Sequence, residues 1–491
     1  MGTRSQRRRL PDRFTSRGTF LATLFMFTAS PILLLYFPRL TSQIGGWQLT
    51  LASLATLLII GTPIFLTETA LGSMLRKGLP GSMRALNPRL EFIGWLALTN
   101  VFLLSVSLGV TVAWSTAHAT LSLINDLQAP ILPSLLTPYF TDLARSPLPL
   151  IAVLIVWGLT YTVARQGPRG LERTAAFLLP TALLLVAGLA IYGATTPTVT
   201  GSPLEPILSS ENPLQPADLR FPIQASVLQL GLGLGVLTML ASYTRKKAET
   251  NVAALTVPPL GFALALVATL IVLPLALDLT APQGLLNLVY LIPQVAASIG
   301  GPILIALFSS LLAILGFTTI LPMTMALVSE LTNKFQTTRR KAAAATSILA
   351  AAASLPYVWW FHTVFTPIED GVILGFRLIN GTEFYILFLG PALVLVLLLA
   401  ATLASLRSGE VVAHSNYVST IRLPQPYKYL ILVAAPAGAV LLLGFLINEI
   451  LALFTSGSLS GVEILSILYW AVPTVLATAV LTASPGWKEK P

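Results

Sequence analysis

The 491-residue sequence contains no cysteine and only three histidines. The lack of cysteine excludes disulfide bonds, thiolate metal sites, iron–sulfur clusters and cysteine nucleophiles together. His118, His362 and His414 lie far apart without metal-ligand spacing, which disfavours a zinc site or a histidine-based catalytic triad. Only isolated carboxylates then support an intramembrane enzyme, and we predict that the protein is not an enzyme.

Charged residues are also scarce: they make up 10% of the chain, against 55% apolar residues, and the mean hydropathy is +0.81. A soluble globular protein carries about 25% charged residues. The composition therefore indicates a polytopic membrane protein.

Long apolar runs organise the sequence. Each reaches or nearly reaches the roughly 20 residues that a helix needs to cross the hydrocarbon of a bilayer. We predict an all-α polytopic membrane protein with about 12 transmembrane helices, near residues 18-40, 47-73, 92-125, 148-164, 171-194, 221-244, 252-279, 302-333, 341-362, 383-406, 427-452 and 461-482.

The positions of the 29 basic residues explain the net charge of +10. With a cytoplasmic N-terminus, 25 of them fall inside and only Arg39, Arg145, Arg220 and Arg377 fall outside. This is the positive-inside pattern of membrane proteins, so the basicity does not indicate nucleic-acid binding. We predict both termini in the cytoplasm and a bacterial-type inner or plasma membrane.

The polar stretches between these segments are too short to form an independent domain of about 50 residues or more. We therefore predict one membrane domain over 1-491, with a cytoplasmic tail at 1-17. The basic run Arg7–Arg9 is not interpreted as a signal peptide, because the apolar stretch after it lacks a small-residue cleavage site.

Two segments carry residues that disfavour a continuous helix. With the predicted spans numbered in chain order, segment 6 (221-244) has alternate glycines at Gly231, Gly233 and Gly235. Segment 1 (18-40) has Pro31. The glycines imitate part of a dinucleotide fingerprint but lack its later glycine and acidic partner. Matched helix breaks in two halves of a chain point to the central site of a transporter, whereas a proline kink and a glycine packing face are the alternative.

Motifs spread along the chain resemble the neurotransmitter:sodium symporter family. They occur in the family's order over nearly the whole sequence, at Arg17 to Gly72 with Phe37-Pro38, Gly45-Gly46 and Gly61-Thr62-Pro63, at Gly167 to Arg173 with Pro180, at Gly231 to Tyr243, at Gly284 to Gly301 with Leu291-Ile292-Pro293, at Leu321-Pro322-Met323 to Glu330-Leu331, and at Arg422-Leu423-Pro424.

The resemblance implies the bacterial leucine-transporter fold. Two inverted five-helix repeats (18-194 and 221-406) would be followed by two additional helices (427-482). A small solute would bind near the midplane between segments 1, 3, 6 and 8. The implied substrate-binding residues, which could alternatively be simple packing residues, are Thr28, Ser30, Pro31, Leu108, Gln229, Gly231, Gly233, Leu234, Leu315 and Thr319.

The resemblance also implies sodium as a coupling ion, but the side chains at the aligned ligand positions cannot bind it. Leu33, Ile314 and Leu315 stand where the family has an asparagine and two hydroxyl residues. A hard cation needs several oxygen ligands to replace its water. The remaining option is a site of backbone oxygens from Met26, Thr28 and Ala29, with help from Thr318 or Gln229, and a proton is the alternative coupling ion.

Acidic residues inside apolar segments are candidates for function because a charge at membrane depth is costly. Glu68 matches the acid of segment 2 in the family, where it would hold a backbone donor of segment 1 or 6. Glu383 matches the acid of the external gate, whose usual arginine partner is replaced by Tyr36. A buried protonated carboxyl and a solvated loop-end carboxylate are the respective alternatives.

Two functions remain open from the sequence. The first is a secondary active transporter of a small amino-acid-like or amine-like solute that works by alternating access. The second is a membrane protein of the same shape that acts as a sensor or partner subunit without transport. The expected partners are the solute and the lipid bilayer, without nucleic acid and without a bound cofactor other than the coupling ion.

Overall fold

The structure is a computed structural model. It describes residues 13–44, 46–124, 146–195, 205–208, 214–245, 247–272, 302–358, 368–369, 372–373, 381–406, 408–455 and 461–487. The predicted motif between Gly284 and Gly301 lies outside these residues.

The described residues are almost entirely helical, which agrees with the predicted all-α class. The exception is a short antiparallel pair of two-residue strands, β1 (Ile368–Glu369) and β2 (Val372–Ile373). The α-helices in chain order are α1 (Arg17–Thr28), α2 (Ile32–Gln43), α3 (Gly46–Thr56), α4 (Thr62–Leu75), α5 (Leu79–Leu86), α6 (Glu91–Ile124), α7 (Leu148–Ala164), α8 (Pro168–Thr195), α9 (Glu205–Leu208), α10 (Arg220–Leu230), α11 (Val236–Ser242), α12 (Thr250–Val272), α13 (Pro302–Phe335), α14 (Arg339–Ser354), α15 (Gly390–Ser405), α16 (Ser408–Val418), α17 (Tyr427–Tyr429), α18 (Ala435–Thr455) and α19 (Gly461–Ala483).

Shorter turns of helix extend several of these elements. Three of them are π turns, at Leu57–Gly61, Tyr385–Leu389 and Leu430–Ala434. Three are 3-10 turns, at Pro88–Leu90, Pro216–Leu219 and Leu355–Tyr357.

Eight helical stretches among the described residues are long and apolar enough to cross a membrane, or nine if the bent pair α1 and α2 forms one span. The predicted number of 12 is therefore not confirmed by length. The remaining predicted spans are shorter as observed: α7 has 17 residues, α14 has 16, and segment 6 is divided into α10 and α11.

Both predicted helix breaks are present. The first half of segment 1 ends at Thr28 and the second begins at Ile32, with a bend of 46° between them. In segment 6, α10 ends at Leu230 and α11 begins at Val236. Segment 6 breaks because Gly231, Gly233 and Gly235 all adopt positive φ angles, which glycine tolerates and which do not continue a right-handed helix.

Close helix packing surrounds these breaks. The long helices α6 and α13 pack along each other. Helix α4 lies against α11 so closely that a Cβ atom on Gly72 would be 2.0 Å from the carbonyl oxygen of Thr238. A residue other than glycine at position 72 would push the two helices apart, so this contact fixes the second half of segment 6 against α4.

A buried charged cluster joins distant parts of the chain. Glu91 at the start of α6 accepts hydrogen bonds from Lys334 Nζ at 2.7 Å and from Trp487 Nε1 at 2.8 Å. Arg84 of α5 forms an ion pair with the other carboxylate oxygen at 2.9 Å. The cluster therefore ties the chain after α19 to α5, α6 and the end of α13.

Candidate functional site

A small cavity lies where the breaks of segments 1 and 6 meet. Its walls come from α6, α13, both broken segments and the π turn before α15. The lining is apolar apart from two hydroxyl side chains, and it consists of Phe27, Ser30, Ile32, Leu104, Val227, Leu228, Gly231, Leu232, Leu234, Thr319, Met323, Leu387 and Pro391.

The two hydroxyl groups of this central cavity differ in their bonding. Thr319 Oγ1 donates to the carbonyl oxygen of Leu315 one turn earlier, at 2.8 Å. Ser30 is 3% exposed, and its Oγ has no hydrogen-bond partner among the described residues. A buried polar atom without a partner is unfavourable, so Ser30 Oγ has an unused hydrogen-bonding capacity at the cavity wall.

Glu68 fixes the break of segment 6. Its side chain is fully buried, and Oε1 accepts a hydrogen bond from the backbone N–H of Gly233 at 2.8 Å. This contact satisfies a donor that the interrupted helix leaves open. The other oxygen, Oε2, has no partner among the described residues. The observed contact is the one expected for Glu68 from the sequence.

Helix ends supply the electrostatics of the cavity. The C-terminal ends of α1 and α10 bring backbone carbonyls to the breaks, and the N-terminal end of α2 at Ile32 brings the positive end of a helix dipole. No charged side chain is among the lining residues. Helix ends of both signs therefore meet at a site whose lining carries no charged side chain.

The structure brings four of the predicted substrate-binding residues to the cavity wall, namely Ser30, Gly231, Leu234 and Thr319. The other six belong to the surroundings of the cavity. Thr28 Oγ1 donates to the carbonyl oxygen of Phe25, and Gly233 bonds to Glu68. The remaining four are Pro31, Leu108, Gln229 and Leu315.

Gln229 points to a neighbouring helix rather than to the cavity. Its Nε2 donates to the carbonyl oxygen of Pro258 in α12 at 3.1 Å, and a Cβ atom on Gly261 would lie 2.7 Å from that nitrogen. The side chain thus connects the end of α10 to α12. Because it already has a backbone partner, its place in the structure is that of a support for segment 6.

Several lining residues were not predicted from the sequence. Leu387 and Pro391 come from the π turn and the start of α15, a region predicted to contribute only Glu383. Met323 of α13 and Leu104 of α6 each lie one helical turn from a predicted residue, Thr319 and Leu108 respectively. A helical repeat of residues three or four apart could have identified the latter two.

The two predicted gate residues have different partners. Tyr36 lies one turn beyond the cavity residue Ile32 and donates to Gln224 Oε1 at 2.5 Å, and its ring packs against Phe388 with centroids 5.6 Å apart. Glu383 accepts a hydrogen bond from Ser107 Oγ of α6. Tyr36 therefore links segments 1, 6 and 10 on one side of the cavity.

The chain before α1 covers the opposite end of these helices. The backbone N–H of Phe14 donates to the carbonyl oxygen of Tyr243, and the hydroxyl group of Tyr243 contacts Ser329 at 2.8 Å. Glu172 of α8 accepts from the backbone N–H and the hydroxyl group of Thr15. Packed layers thus lie on both sides of the central cavity.

The residues at the aligned sodium positions do not form an oxygen cage from side chains. Leu33 and Leu315 are buried apolar residues. The nearby hydroxyl groups of Thr318 and Thr319 both donate to the carbonyl oxygen of Leu315, at 3.0 and 2.8 Å. Leu33 and Leu315 thus offer no side-chain oxygen, whereas the hydroxyl oxygens of Thr318 and Thr319 keep lone pairs that can still accept. The backbone site at Met26, Thr28 and Ala29 stays a prediction.

Residues 14–130 match the model of the sodium:neurotransmitter symporter family. The computed structure is similar to the crystal structure of MhsT in complex with L-phenylalanine, with a TM-score of 0.73 and 21% identity over 88% of this chain and 99% of that chain. This similarity confirms the predicted leucine-transporter type of fold.

Related sequences agree with that family. An uncharacterised sodium-dependent transporter of Methanocaldococcus jannaschii is 26% identical over 43% of this chain and 45% of its own length. Another from Haemophilus influenzae is 23% identical over 48% of this chain and 54% of its own length. The chain spans about half the length of these curated relatives. The predicted resemblance to the family is confirmed, and that family is one of transporters rather than enzymes.

Proposed function

We propose that this integral membrane protein is a secondary transporter of a small amino-acid-like or amine-like solute, which binds in the central cavity and crosses by alternating access. The observation that carries the proposal is the meeting of two broken helices around a cavity whose wall holds Ser30 Oγ without a partner among the described residues. Broken helices that meet at such a cavity are the usual binding site of secondary transporters.

The lining favours a solute with an apolar side group. Leu104, Val227 and Met323 offer only apolar surface, while Ser30 and the helix ends can hold polar groups at one end. The crystal structure of MhsT contains L-phenylalanine, a solute of this description. L-phenylalanine is therefore the first solute to test.

Uptake into proteoliposomes tests the proposal directly. The wild-type protein is expected to accumulate at least one radiolabelled solute from a panel of neutral amino acids and amines. Leu104→Trp fills the cavity and is expected to abolish binding and uptake. Leu154→Trp, at a residue 53% exposed on α7, is the matched control and should retain both.

The coupling ion belongs to the same proposal. We expect uptake to depend weakly or not at all on sodium, because Leu33, Ile314 and Leu315 offer no oxygen to replace the water of the ion. Uptake is measured in sodium, potassium and choline buffers at equal ionic strength. A steep and saturable requirement for sodium would contradict this expectation and indicate a complete backbone site.

A proton is the alternative driving ion, and Glu68 is the first carboxyl group to test. In Glu68→Gln the amide oxygen can still accept the hydrogen bond from Gly233, so the break of segment 6 is preserved. The variant is expected to keep solute binding but lose stimulation of uptake by an inward proton gradient. Unchanged stimulation would exclude Glu68 as the proton carrier.

The second candidate function, a sensor or partner subunit without transport, is distinguished by the same preparation. Saturable solute binding to the purified protein, combined with no uptake under any ion gradient, would favour it. Loss of this binding in Leu104→Trp would still assign the ligand to the central cavity.

A further inference from the structure

A second cavity lies on the other face of the helix that contributes Leu387 to the central cavity. It lies between α6, the 3-10 turn after α14, the start of the segment that leads into α15, and α19. Ile386 lines this second cavity, whereas its neighbour Leu387 lines the central one. The two cavities are therefore separated by a single turn of π-helix.

The polar groups of the second cavity are few and converge. Glu383 is 1% exposed and accepts a hydrogen bond from Ser107 Oγ of α6. Tyr357 donates its hydroxyl hydrogen to Tyr469 of α19, and the two rings meet edge to face with centroids 6.4 Å apart. The rest of the lining, apart from Thr382, is aliphatic.

This combination has the chemistry of a site for an organic cation. A buried carboxyl group in a largely apolar lining is costly to charge unless donors or a cation accompany it. Aromatic faces attract ammonium groups, and an apolar wall with a few placed polar groups is typical of small-molecule sites. We propose that the second cavity binds a small organic ammonium ion with an apolar substituent, with its charged group at Glu383.

Binding of phenethylammonium to the purified full-length protein tests this site. Glu383→Gln is expected to weaken binding at least tenfold, because the amide keeps the shape but not the charge. Val106→Phe fills the cavity from α6 and is expected to abolish binding. Glu410→Gln, at an exposed acid on α16, is the matched control and should bind as the wild type does.

One further variant and one further probe distinguish binding at this site from binding in the central cavity. Leu104→Trp should leave phenethylammonium binding at the second cavity intact even if it abolishes solute binding at the central one. 2-Phenylethanol, which has no charge, should not compete. The proposal is overturned if phenethylammonium binding is unchanged in Glu383→Gln and Val106→Phe, or if it is lost in Leu104→Trp. Neither result depends on transport activity.

Ser107→Ala is a second variant at the same carboxyl group, and it keeps the test valid if Glu383→Gln fails to fold. It removes only the hydrogen bond to the carboxyl group and is expected to weaken binding less than Glu383→Gln does. If both variants elute as monodisperse protein and bind phenethylammonium with wild-type affinity, the carboxyl group does not hold the ligand.

Discussion

At the scale of single residues, the buried pair of Glu91 and Lys334 is the most sensitive point outside the cavities. Their side chains are 3% and 1% exposed, and a buried ion that loses its partner costs about 3–5 kcal/mol. Glu91 also accepts from Trp95 and Trp487, so a single carboxylate serves four elements of the chain.

We predict that Glu91→Gln lowers the thermal unfolding midpoint of the purified protein strongly, because it leaves Lys334 buried without its counter-charge. The double variant Glu91→Gln with Lys334→Met should recover part of the loss. Arg84→Gln, which removes a partly exposed partner of the same carboxylate, is expected to cost about 1 kcal/mol or less. An equal loss in the single and double variants would show that the charge pair is not the cause.

Gly233 shows how a residue identified from the sequence can have a different role in the structure. The sequence identifies it as an implied substrate-binding residue. In the structure Gly233 has a φ of +75°, and a Cβ atom would lie 2.5 Å from the carbonyl oxygen of Pro391. Even alanine is therefore both strained and in collision with the backbone of α15.

We predict that Gly233→Ala destabilises the protein as a whole, and that its unfolding midpoint falls below that of Leu104→Trp. The cause is local backbone strain rather than blockage of the cavity. Thermal unfolding of the two variants in the same detergent makes the comparison. A Gly233→Ala protein of wild-type stability without solute binding would restore the view that position 233 simply lines the cavity.

At the scale of elements, the helix breaks could be predicted and the π turns could not. Pro31 and the three glycines disfavour continuous helix by themselves, so the sequence alone locates the breaks. Each π turn ends two residues before a proline, at Pro63, Pro391 and Pro436. A proline ring collides with the carbonyl four residues earlier, which a wider turn can relieve.

Proline alone would nevertheless have predicted too many π turns. Pro180, Pro322 and Pro473 lie inside continuous α-helices. Which prolines widen a turn depends on how the helix packs, and this is not contained in the local sequence. For the same reason the sequence found Ser30 and Thr319 but missed Leu387 and Pro391, whose approach to the cavity follows from a π turn.

Glu249 connects three elements near the start of α12. It accepts hydrogen bonds from Arg17 of α1 at 2.6 Å and from the backbone N–H and hydroxyl group of Thr420 at 2.7 Å. Burial raises the pKa of Glu249, but the hydrogen bonds from Thr420 and the charge of Arg17 outweigh it, so the pKa lies below its ordinary value.

A carboxyl group with a lowered pKa stabilises the folded state above its ordinary pKa, and this stabilisation is lost as the pH falls through the lowered value. We predict that Glu249→Gln reduces the unfolding midpoint at pH 7, and that the difference from wild type shrinks toward pH 4 and below. Melting curves across this range make the measurement. A difference that is independent of pH would assign the effect to shape rather than charge.

At the scale of the whole molecule, the arrangement in the membrane was predicted from charge and remains to be measured. The division of the chain into repeats at 18-194 and 221-406 is likewise still a prediction. The general fold could be predicted because spaced motifs occur along the entire chain. The exact number of spans could not, because α7 and α14 fall short of the length that identifies a membrane helix.

We predict that a cysteine introduced at Arg340 resists a membrane-impermeant thiol reagent in intact cells, whereas one in the 126-147 loop reacts. Arg340 is exposed in the structure, so its protection would come from the membrane rather than from burial. The native chain has no cysteine to add background. The opposite labelling pattern would show that the chain has the reverse orientation in the membrane. Permeabilised cells provide the control for the reactivity of the cysteine at position 340.

The cluster around Glu91 also constrains how the protein is made. Lys334 follows Glu91 by 243 residues and Trp487 follows it by 396. At about 5–20 residues per second, the ribosome needs roughly 20–80 s to synthesise the chain from Glu91 to Trp487. During that time the carboxylate has to stay hydrated or be shielded by the insertion machinery, so the final docking of α6 against α13 is a late event in biogenesis.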